Sequence, residues 1–363
     1  MKVQGKPYRS IWLAEDALGV HIIDQTRLPH EFVTRRLESL DDAVRAISAM
    51  QVRGAPLIGA TAAYGMSLGM RADATDSGLD KAYSSLIAAR PTAVNLRWAL
   101  DEMKMLLAPL EPTARTGAAY RRAAEICDED VEICSAIGGH GLALIQEAWK
   151  KKGANEPLNI LTHCNAGWLA AVDWGTAMAP IYKAHDAGIP QHVWVSETRP
   201  RNQGASLTCW ELGSHGVAHT LIVDNAAGHL LQQGQVDLCI TGTDRTTASG
   251  DVCNKVGTYL KALAAHDNGV AFYVALPGPT IDWTIGDGAC DIPIEERAAA
   301  EVTRMAGRTA DGDIAAVEIA SEGCVAANPA FDVTPAHLIT GLITERGICQ
   351  ASAEGLRGLF PEP

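Results

Sequence analysis

Several features are missing from this sequence of 363 residues, and each absence argues against a class of protein. No apolar run reaches the roughly 20 residues that a membrane-spanning helix requires. The first ten residues lack the apolar segment of a secretory signal, so no signal is expected. Cationic side chains are fewer than anionic ones, and the formal net charge is −13. This balance argues against nucleic acid and anionic membrane surfaces as partners, because both require a clustered basic face.

The cysteines lack the spacing of a structural framework. Nine are present, an odd number, and none occurs in a C-x-x-C pair, so neither disulfides nor a metal site are expected. Free thiols are typical of a reducing compartment, and we therefore predict a cytoplasmic protein. No complete G-x-G-x-x-G segment follows a predicted strand, which counts against an NAD or FAD dehydrogenase.

The second half of the chain alternates short apolar runs with helical stretches. The predicted strands cover residues 158–162, 192–196, 218–223, 236–241 and 270–276. Runs of this length and spacing are typical of a parallel, doubly wound sheet. A helical region at 113–150, interrupted by glycines at 138, 139 and 141, precedes it, and residues 20–26 resemble a strand of a small exposed sheet. We predict an α/β protein with a small α+β domain (1–125) that carries anion-binding loops, followed by a Rossmann-like catalytic domain (126–363).

Polar side chains follow two of the predicted strands. His163, Cys164 and Asn165 end the first strand, at the edge where open α/β sheets bind ligands. The Cys164 thiol is either a core residue or a chemical group. A helix is predicted to begin just after it, which would lower the pKa of the thiol. Asp244 follows another strand in a glycine-flanked loop, where a turn residue is the alternative.

Three cations lie beside residues that suit anion binding. Arg53 precedes a glycine, an alanine and a proline that fits the first turn of a helix, and helix N-termini bind anions. Arg90 is held extended by the following proline. Asn254 and Lys255 are predicted to open a helix, where a lysine opposes the macrodipole unless an anion lies between them. Small-residue packing and solvated arginines are the alternatives. We interpret Arg53, Arg90 and Lys255 as candidate phosphate contacts.

Together these segments resemble the S-methyl-5-thioribose-1-phosphate isomerase family, which is related to the alpha, beta and delta subunits of translation initiation factor 2B. The resemblance extends from about residue 23 to 347, and its motifs lie at 53–56, 90–92, 162–167, 197–205, 242–259, 292–297 and 328–340. It implies a homodimer without metal or cofactor that converts S-methyl-5-thio-α-D-ribose 1-phosphate to S-methyl-5-thio-D-ribulose 1-phosphate in methionine salvage. By position, the catalytic pair falls on Cys164 and Asp244. Substrate contacts fall on Arg53, Gly54, Ala55, Arg90, Gln203, Asn254 and Lys255.

The implied chemistry gives each catalytic residue a task. Phosphate on the anomeric carbon blocks ordinary ring opening, so the reaction needs an acid near the ring oxygen and a group that manages the C2 hydrogen. We expect Asp244 to be the acid and Cys164 to act at C2, with proton transfer and hydride shift both open. Thr243, Cys253 and the turn at 276–280 depart from the family pattern, which leaves the exact substrate preference open.

Two other functions fit the same motifs. An isomerase of ribose 1,5-bisphosphate would need extra cations, which Arg199 and Arg201 offer, and 5-deoxyribose 1-phosphate is a further substrate of this kind. A methylthio group would need an apolar lining instead, for which the candidates are Trp168, Trp174, Leu207 and Trp210. A regulatory subunit that binds sugar phosphates without turning them over is the third possibility, and the intact pair of Cys164 and Asp244 argues against it.

Overall fold

The computed structural model describes residues 1–361, and its N-terminal part combines short strands with five helices. The strands are β1 (Lys2–Val3), β2 (Lys6–Pro7), β3 (Ile11–Leu13), β4 (Val20–Ile23) and β5 (Thr34–Leu37). The helices are α1 (Leu40–Ser48), α2 (Ala55–Ala72), α3 (Asp76–Ala89), α4 (Val94–Leu107) and α5 (Pro112–Lys151). The strand predicted at 20–26 is β4, but it is the buried central strand between β3 and β5, so the expectation of an exposed sheet was wrong.

Helix α2 is the centre of the N-terminal part. All of its residues from Leu57 to Met70 are buried, because the other helices pack around it. Its small residues make this packing possible: a Cβ added at Gly69 would lie 2.8 Å from the Cβ of Ala82 on α3. The body of α2 is therefore explained by close helix packing, and only its N-terminus is available for a ligand.

Helix α5 is continuous over 40 residues and about 60 Å long, so the predicted interruption at the glycines was wrong. Gly138 and Gly141 do not interrupt the helix, and they are instead positions where it packs closely against a neighbouring helix. A Cβ at Gly141 would lie 2.3 Å from Cγ of Pro180, on the first helix that follows the next strand. The first half of α5 packs in the N-terminal core and the second half in a core of the C-terminal part. The predicted boundary between 125 and 126 falls inside this helix, and that division of the chain stays a prediction.

The C-terminal part contains the remaining strands and helices. Its strands are β6 (Leu158–Thr162), β7 (Gln191–Ser196), β8 (His219–Ile222), β9 (Leu238–Thr241), β10 (Arg245–Thr247), β11 (Val252–Lys255), β12 (Ala271–Ala275), β13 (Ile281–Asp282), β14 (Arg304–Arg308), β15 (Ile314–Glu318), β16 (Phe331–Thr334), β17 (Gly341–Thr344) and β18 (Gly347–Cys349). Its helices are α6 (Met178–Asp186), α7 (Cys209–His215), α8 (Ala226–Gln232), α9 (Thr258–Asp267), α10 (Gly288–Asp291), α11 (Ala300–Thr303) and α12 (Ala353–Leu359).

A seven-stranded sheet in the order β18-β17-β12-β9-β6-β7-β8 forms the body of this part, and only its edge strand β18 is antiparallel. Its two faces carry separate apolar cores, one containing Ile160 with residues of α6 and the other containing Leu161 with residues of α8. The predicted α/β class with a doubly wound, mainly parallel sheet is confirmed. All five predicted strands are present within two residues of their expected ends.

A smaller sheet in the order β13-β10-β11-β16 lies beyond the carboxyl end of β9, and β14 and β15 form a separate hairpin. Within residues 1–361, no helix is long and apolar enough to cross a membrane.

Candidate active site

Cys164 lies just beyond the carboxyl end of β6, as the sequence predicted, in a strained conformation. Its φ of 64° is in the left-handed region, which non-glycine residues rarely adopt away from functional sites. Hydrogen bonds hold it there: its N–H donates to Oγ1 of Thr198 at 2.8 Å, and its carbonyl accepts from Oγ1 of Thr208 at 2.7 Å. The thiol donates to Oε1 of Gln203 at 3.3 Å, so this predicted substrate contact also fixes the sulfur.

The thiol of Cys164 is not activated by a helix. The next helical segment is a single 3-10 turn at Trp168–Ala170, so the predicted helix N-terminus is absent at this position. Burial raises the pKa of the thiol, while the charges of Arg53 and Lys255 lower it to a smaller degree. The prediction of a lowered pKa was therefore wrong, and the thiol form of Cys164 prevails at neutral pH.

Asp244 approaches Cys164 because the strands that carry the two residues, β6 and β9, are neighbours in the sheet. The loop after β9 passes close to the loop after β6: a Cβ at Gly242 would lie 2.5 Å from the Cβ of Ala166. The N–H of Asp244 donates to the carbonyl of Cys253 at 3.0 Å. Its side chain is half-buried and lines the same cavity as Cys164. The structure thus brings the two predicted catalytic residues together.

The N-terminus of α2 closes this cavity from the N-terminal part. Gly54 is its N-cap with a φ of 90°, and a Cβ there would lie 2.5 Å from the carbonyl oxygen of Ala170, so only glycine fits. Arg53 is buried, and its guanidinium donates to Oδ1 and to the carbonyl oxygen of Asn165, the latter at 2.7 Å. These bonds aim Arg53 at the loop that holds the thiol.

Asn254 and Lys255 end strand β11 and do not open a helix. They pair with Asp332 and Phe331 of β16, and α9 begins only at Thr258. The Lys255 side chain is buried, and its Nζ lies 4.8 Å from the centre of the Phe331 ring. Burial lowers the pKa of Lys255, whereas the nearby Cys164 and Asp244 raise it. Lys255 is therefore beside the catalytic pair, although its predicted position at a helix end was wrong.

Arg90 lies on the side of Asp244 that is opposite to the cavity of Cys164. A second cavity is lined by Arg90, Ala55, Asp244 and Phe331. Nη2 of Arg90 donates to Oε2 of Glu295 at 3.2 Å, but its buried Nε has no partner among the described residues. An unpaired buried N–H donor is costly, and an anion in this cavity would satisfy it.

The two cavities have Ala55 and Asp244 in common, and each has a volume of about 30 Å³. Both are small compared with a third cavity of about 330 Å³ that lies beyond Arg53 and Gln203. The catalytic pair therefore lies in a narrow cavity beside a larger chamber.

Comparison with known proteins identifies the family of the chain that carries this site. Residues 51–351 match the model of the initiation factor 2 subunit family. The chain belongs to this family. Among its relatives, the methylthioribose-1-phosphate isomerases of Rhodospirillum rubrum and Paramagnetospirillum magneticum are each 66% identical to it, and the match covers 100% of this chain and 94% and 99% of theirs. The resemblance inferred from the motifs is confirmed.

Solved structures of the family share the fold. The 5-methylthioribose 1-phosphate isomerase of Pyrococcus horikoshii OT3 has a TM-score of 0.83 at 38% identity, covering 98% of this chain and 96% of that chain. The delta subunit of translation initiation factor eIF-2B from A. fulgidus has a TM-score of 0.80 at 35% identity, covering 98% and 100%. The family thus contains members with different names on one architecture.

One buried residue of the site could not be identified from the sequence alone. Glu211 on α7 accepts hydrogen bonds from the side chain of Asn165 at 3.0 Å, from the N–H groups of Trp168 and Leu169, both at 3.0 Å, and from the hydroxyl of Tyr182 at 2.7 Å. It therefore fixes the amide that holds Arg53. A lone glutamate in the otherwise apolar run from Cys209 to Leu212 was the available signal.

Residues 1–361 contain no group of three or more His, Cys, Asp or Glu side chains that is placed to hold a metal ion.

Proposed function

We propose that this chain converts S-methyl-5-thio-α-D-ribose 1-phosphate to S-methyl-5-thio-D-ribulose 1-phosphate, a step of methionine salvage, without a metal or cofactor. The observation that carries the proposal is the placement of Cys164 and Asp244 at the ends of adjacent strands, in one cavity with Arg53 and Asn254. It is supported by full-length relatives at 62–66% identity that are named methylthioribose-1-phosphate isomerase.

The phosphate is assigned to the cations that surround the catalytic pair. The N-terminus of α2, formed by Gly54 and Ala55, offers free N–H groups and the positive end of the helix dipole. Arg90 has an unpaired Nε, and the Lys255 ammonium is buried nearby. With Arg53, these groups line cavities on both sides of Asp244, so a phosphate bound by them would bring the anomeric carbon close to its carboxyl group.

The high pKa of the thiol shapes the mechanism. Transfer of the Cys164 proton to the Asp244 carboxylate would create a thiolate base and a carboxylic acid in one step. The acid then protonates the ring oxygen as the ring opens, and the thiolate removes the C2 proton to leave an enol. The Cys164 thiol, after exchange of its proton with solvent, protonates C1, and the 2-hydroxyl proton passes to the Asp244 carboxylate as the ketone forms. A hydride shift from C2 to C1 would need only Asp244, which would give a proton to the ring oxygen and then accept the proton of the 2-hydroxyl group. Deuterium from solvent at C1 of the product supports proton transfer, and its absence assigns the hydride shift.

The 5-substituent is better matched by an apolar group than by a second phosphate. Arg199 donates to the carbonyls of Pro200 and Val302, each at 2.7 Å, and Arg201 donates to Glu301 at 2.8 Å. Both predicted candidates for a second phosphate are therefore already engaged. Of the four side chains expected to line a methylthio pocket, only Leu207 lines the 330 Å³ chamber, and all four pack in one hydrophobic core.

Substrate assays with matched variants test this function. Purified protein is assayed for ketose formation from the 1-phosphates of methylthioribose, 5-deoxyribose and ribose and from ribose 1,5-bisphosphate. We expect the methylthio compound to have the highest kcat/KM. Asp244→Asn and Cys164→Ser should each lower kcat at least ~10²-fold while phosphate-dependent binding persists, and Lys255→Ala should mainly raise KM. Near-normal turnover by either catalytic variant, or no turnover of any substrate by the wild type, contradicts the proposal.

The same proposal includes a cytoplasmic homodimer that does not bind nucleic acid. The acidic net charge supports the absence of a nucleic-acid partner, and the free cysteines support a reducing compartment. Exposed apolar side chains on α9, namely Tyr259, Leu260 and Leu263, support a subunit interface.

A further inference from the structure

His163 is a buried neighbour of Cys164 that joins two loops of the active site. Its Nε2 lies 2.9 Å from the carbonyl oxygen of Val256, the residue after Lys255. Because a carbonyl oxygen only accepts, Nε2 carries the hydrogen and Nδ1 keeps its lone pair. The backbone of Gly257 packs directly on the ring: a Cβ there would lie 3.3 Å from Cε1 and from Nε2.

The opposite side of the imidazole reaches the thiol loop through Thr198. Nδ1 of His163 lies 3.4 Å from Oγ1 of Thr198. The same hydroxyl accepts the N–H of Cys164 at 2.8 Å, and its single hydrogen is shared between the Nδ1 lone pair and the Ser196 carbonyl, 2.9 Å away. One ring therefore connects the residue that carries the thiol with the strand end that carries Lys255.

Burial and a nearby lysine keep this imidazole neutral. Oδ1 of Asp224 lies 3.8 Å from Nδ1 of His163 and 3.9 Å from Nζ of Lys261. Burial and the charge of Lys261 hold the pKa of His163 below its usual range, and Asp224 opposes them only in part. A neutral ring with a fixed tautomer is a rigid spacer and not a proton carrier at neutral pH.

We propose that His163 is a positioning residue that holds Lys255 at a fixed distance from the Cys164 thiol through the bond from its Nε2–H to the Val256 carbonyl. This inference rests on the proposed isomerase function, because it assigns His163 a task in binding the phosphate of that substrate. Without the bond, the end of β11 loses its only described side-chain link to the thiol loop. Phosphate binding should then suffer more than the chemical step.

Two variants whose amide side chains differ only in length test the assignment. His163→Gln keeps an amide donor near the position of Nε2, whereas the shorter side chain of His163→Asn cannot reach the Val256 carbonyl. We expect His163→Asn to raise KM at least ~10-fold with kcat within ~3-fold of wild type, and His163→Gln to restore KM to within ~3-fold. Thermal midpoints measured in parallel show whether each variant is folded under the assay conditions.

The opposite results overturn the inference. An unchanged KM in His163→Asn makes the ring a packing residue, and a ~10²-fold loss of kcat in both variants at constant KM makes it a participant in proton transfer. A second measurement on the wild type requires no substrate: ¹⁵N-histidine NMR, with His163→Gln used only to assign the signal, should show a neutral Nε2–H tautomer between pH 6 and 8. An Nδ1–H tautomer or titration in this range contradicts the assignment. Failure of the proposed function would appear separately, as a wild-type protein without isomerase activity.

Discussion

At the scale of single residues, Cys164 has two unfavourable features that a core cysteine would not have: a strained backbone and a thiol among polar groups. Its backbone is in the left-handed region, and its sulfur is buried in a cavity lined with polar groups. Strain of this kind persists only where surrounding hydrogen bonds fix the conformation. Here Thr198 and Thr208 form these hydrogen bonds. The fold therefore holds the sulfur at one point of the cavity instead of letting it relax into the core.

The raised pKa of this thiol leads to a prediction for its reactivity. Because burial favours the neutral form, alkylation of Cys164 by iodoacetamide should be slow at pH 7 and should rise with pH to a midpoint above the value of about 8.5 for a free cysteine. Peptide mass spectrometry of timed reactions measures the rate at each pH. The exposed Cys324 in the same digest reports the activity of the reagent. A Cys164 midpoint below about 8.5 would show that Arg53 and Lys255 outweigh burial.

At the scale of elements, the glycines of α5 allow a comparison within one turn. Gly141→Ala would place a Cβ 2.3 Å from Pro180, whereas Gly139→Ala meets nothing within 4 Å. We expect Gly141→Ala to destabilise the protein by about 1–3 kcal/mol through overpacking. Gly139→Ala should stabilise it by up to about 1 kcal/mol, because alanine is the better helix former. Thermal unfolding midpoints measure both, and equal midpoints would contradict the close packing of α5 on α6.

The elements also show how far local sequence determines this site. The strands of the large sheet and the motifs around Cys164 and Asp244 were predictable, because apolar runs and polar strand ends are local signals. The strand that carries Lys255 was not, because the residues of β11 at Asn254 and Lys255 pair only with β16, more than seventy residues later. The pKa of Cys164 and the role of Glu211 depend on burial by distant segments, which no local pattern records. The assignment of substrate contacts stays a prediction.

At the scale of the whole molecule, the proposed homodimer can be tested at α9. Leu260 is 61% exposed and lies between two other partly exposed apolar side chains of this helix, Tyr259 and Leu263. If this face is the interface, Leu260→Glu places a charge in it, and we expect the mass in solution to fall from twice the 38.4 kDa chain mass to that of one chain. Light scattering after size exclusion measures the mass.

A matched control uses another exposed apolar side chain. Met105 on α4 is 70% exposed, and Met105→Glu introduces the same charge away from α9. This variant should keep the mass of the wild type. A dimeric Leu260→Glu protein, or a monomeric wild type, contradicts the assignment of α9 as the interface.

The ion pair between Arg90 and Glu295 affects how the enzyme responds to ionic strength. If the substrate phosphate binds the free Nε of Arg90 and also takes Nη2, it displaces the Glu295 carboxylate from Nη2, so one ion pair replaces another. The displaced Glu295 does not become a bare charge beside the ligand, because Arg297 holds its other oxygen at 2.7 Å. Dissolved salt screens the free and bound states at this contact in similar ways. Arg90 can therefore contribute to recognition of the phosphate without making substrate affinity strongly dependent on salt.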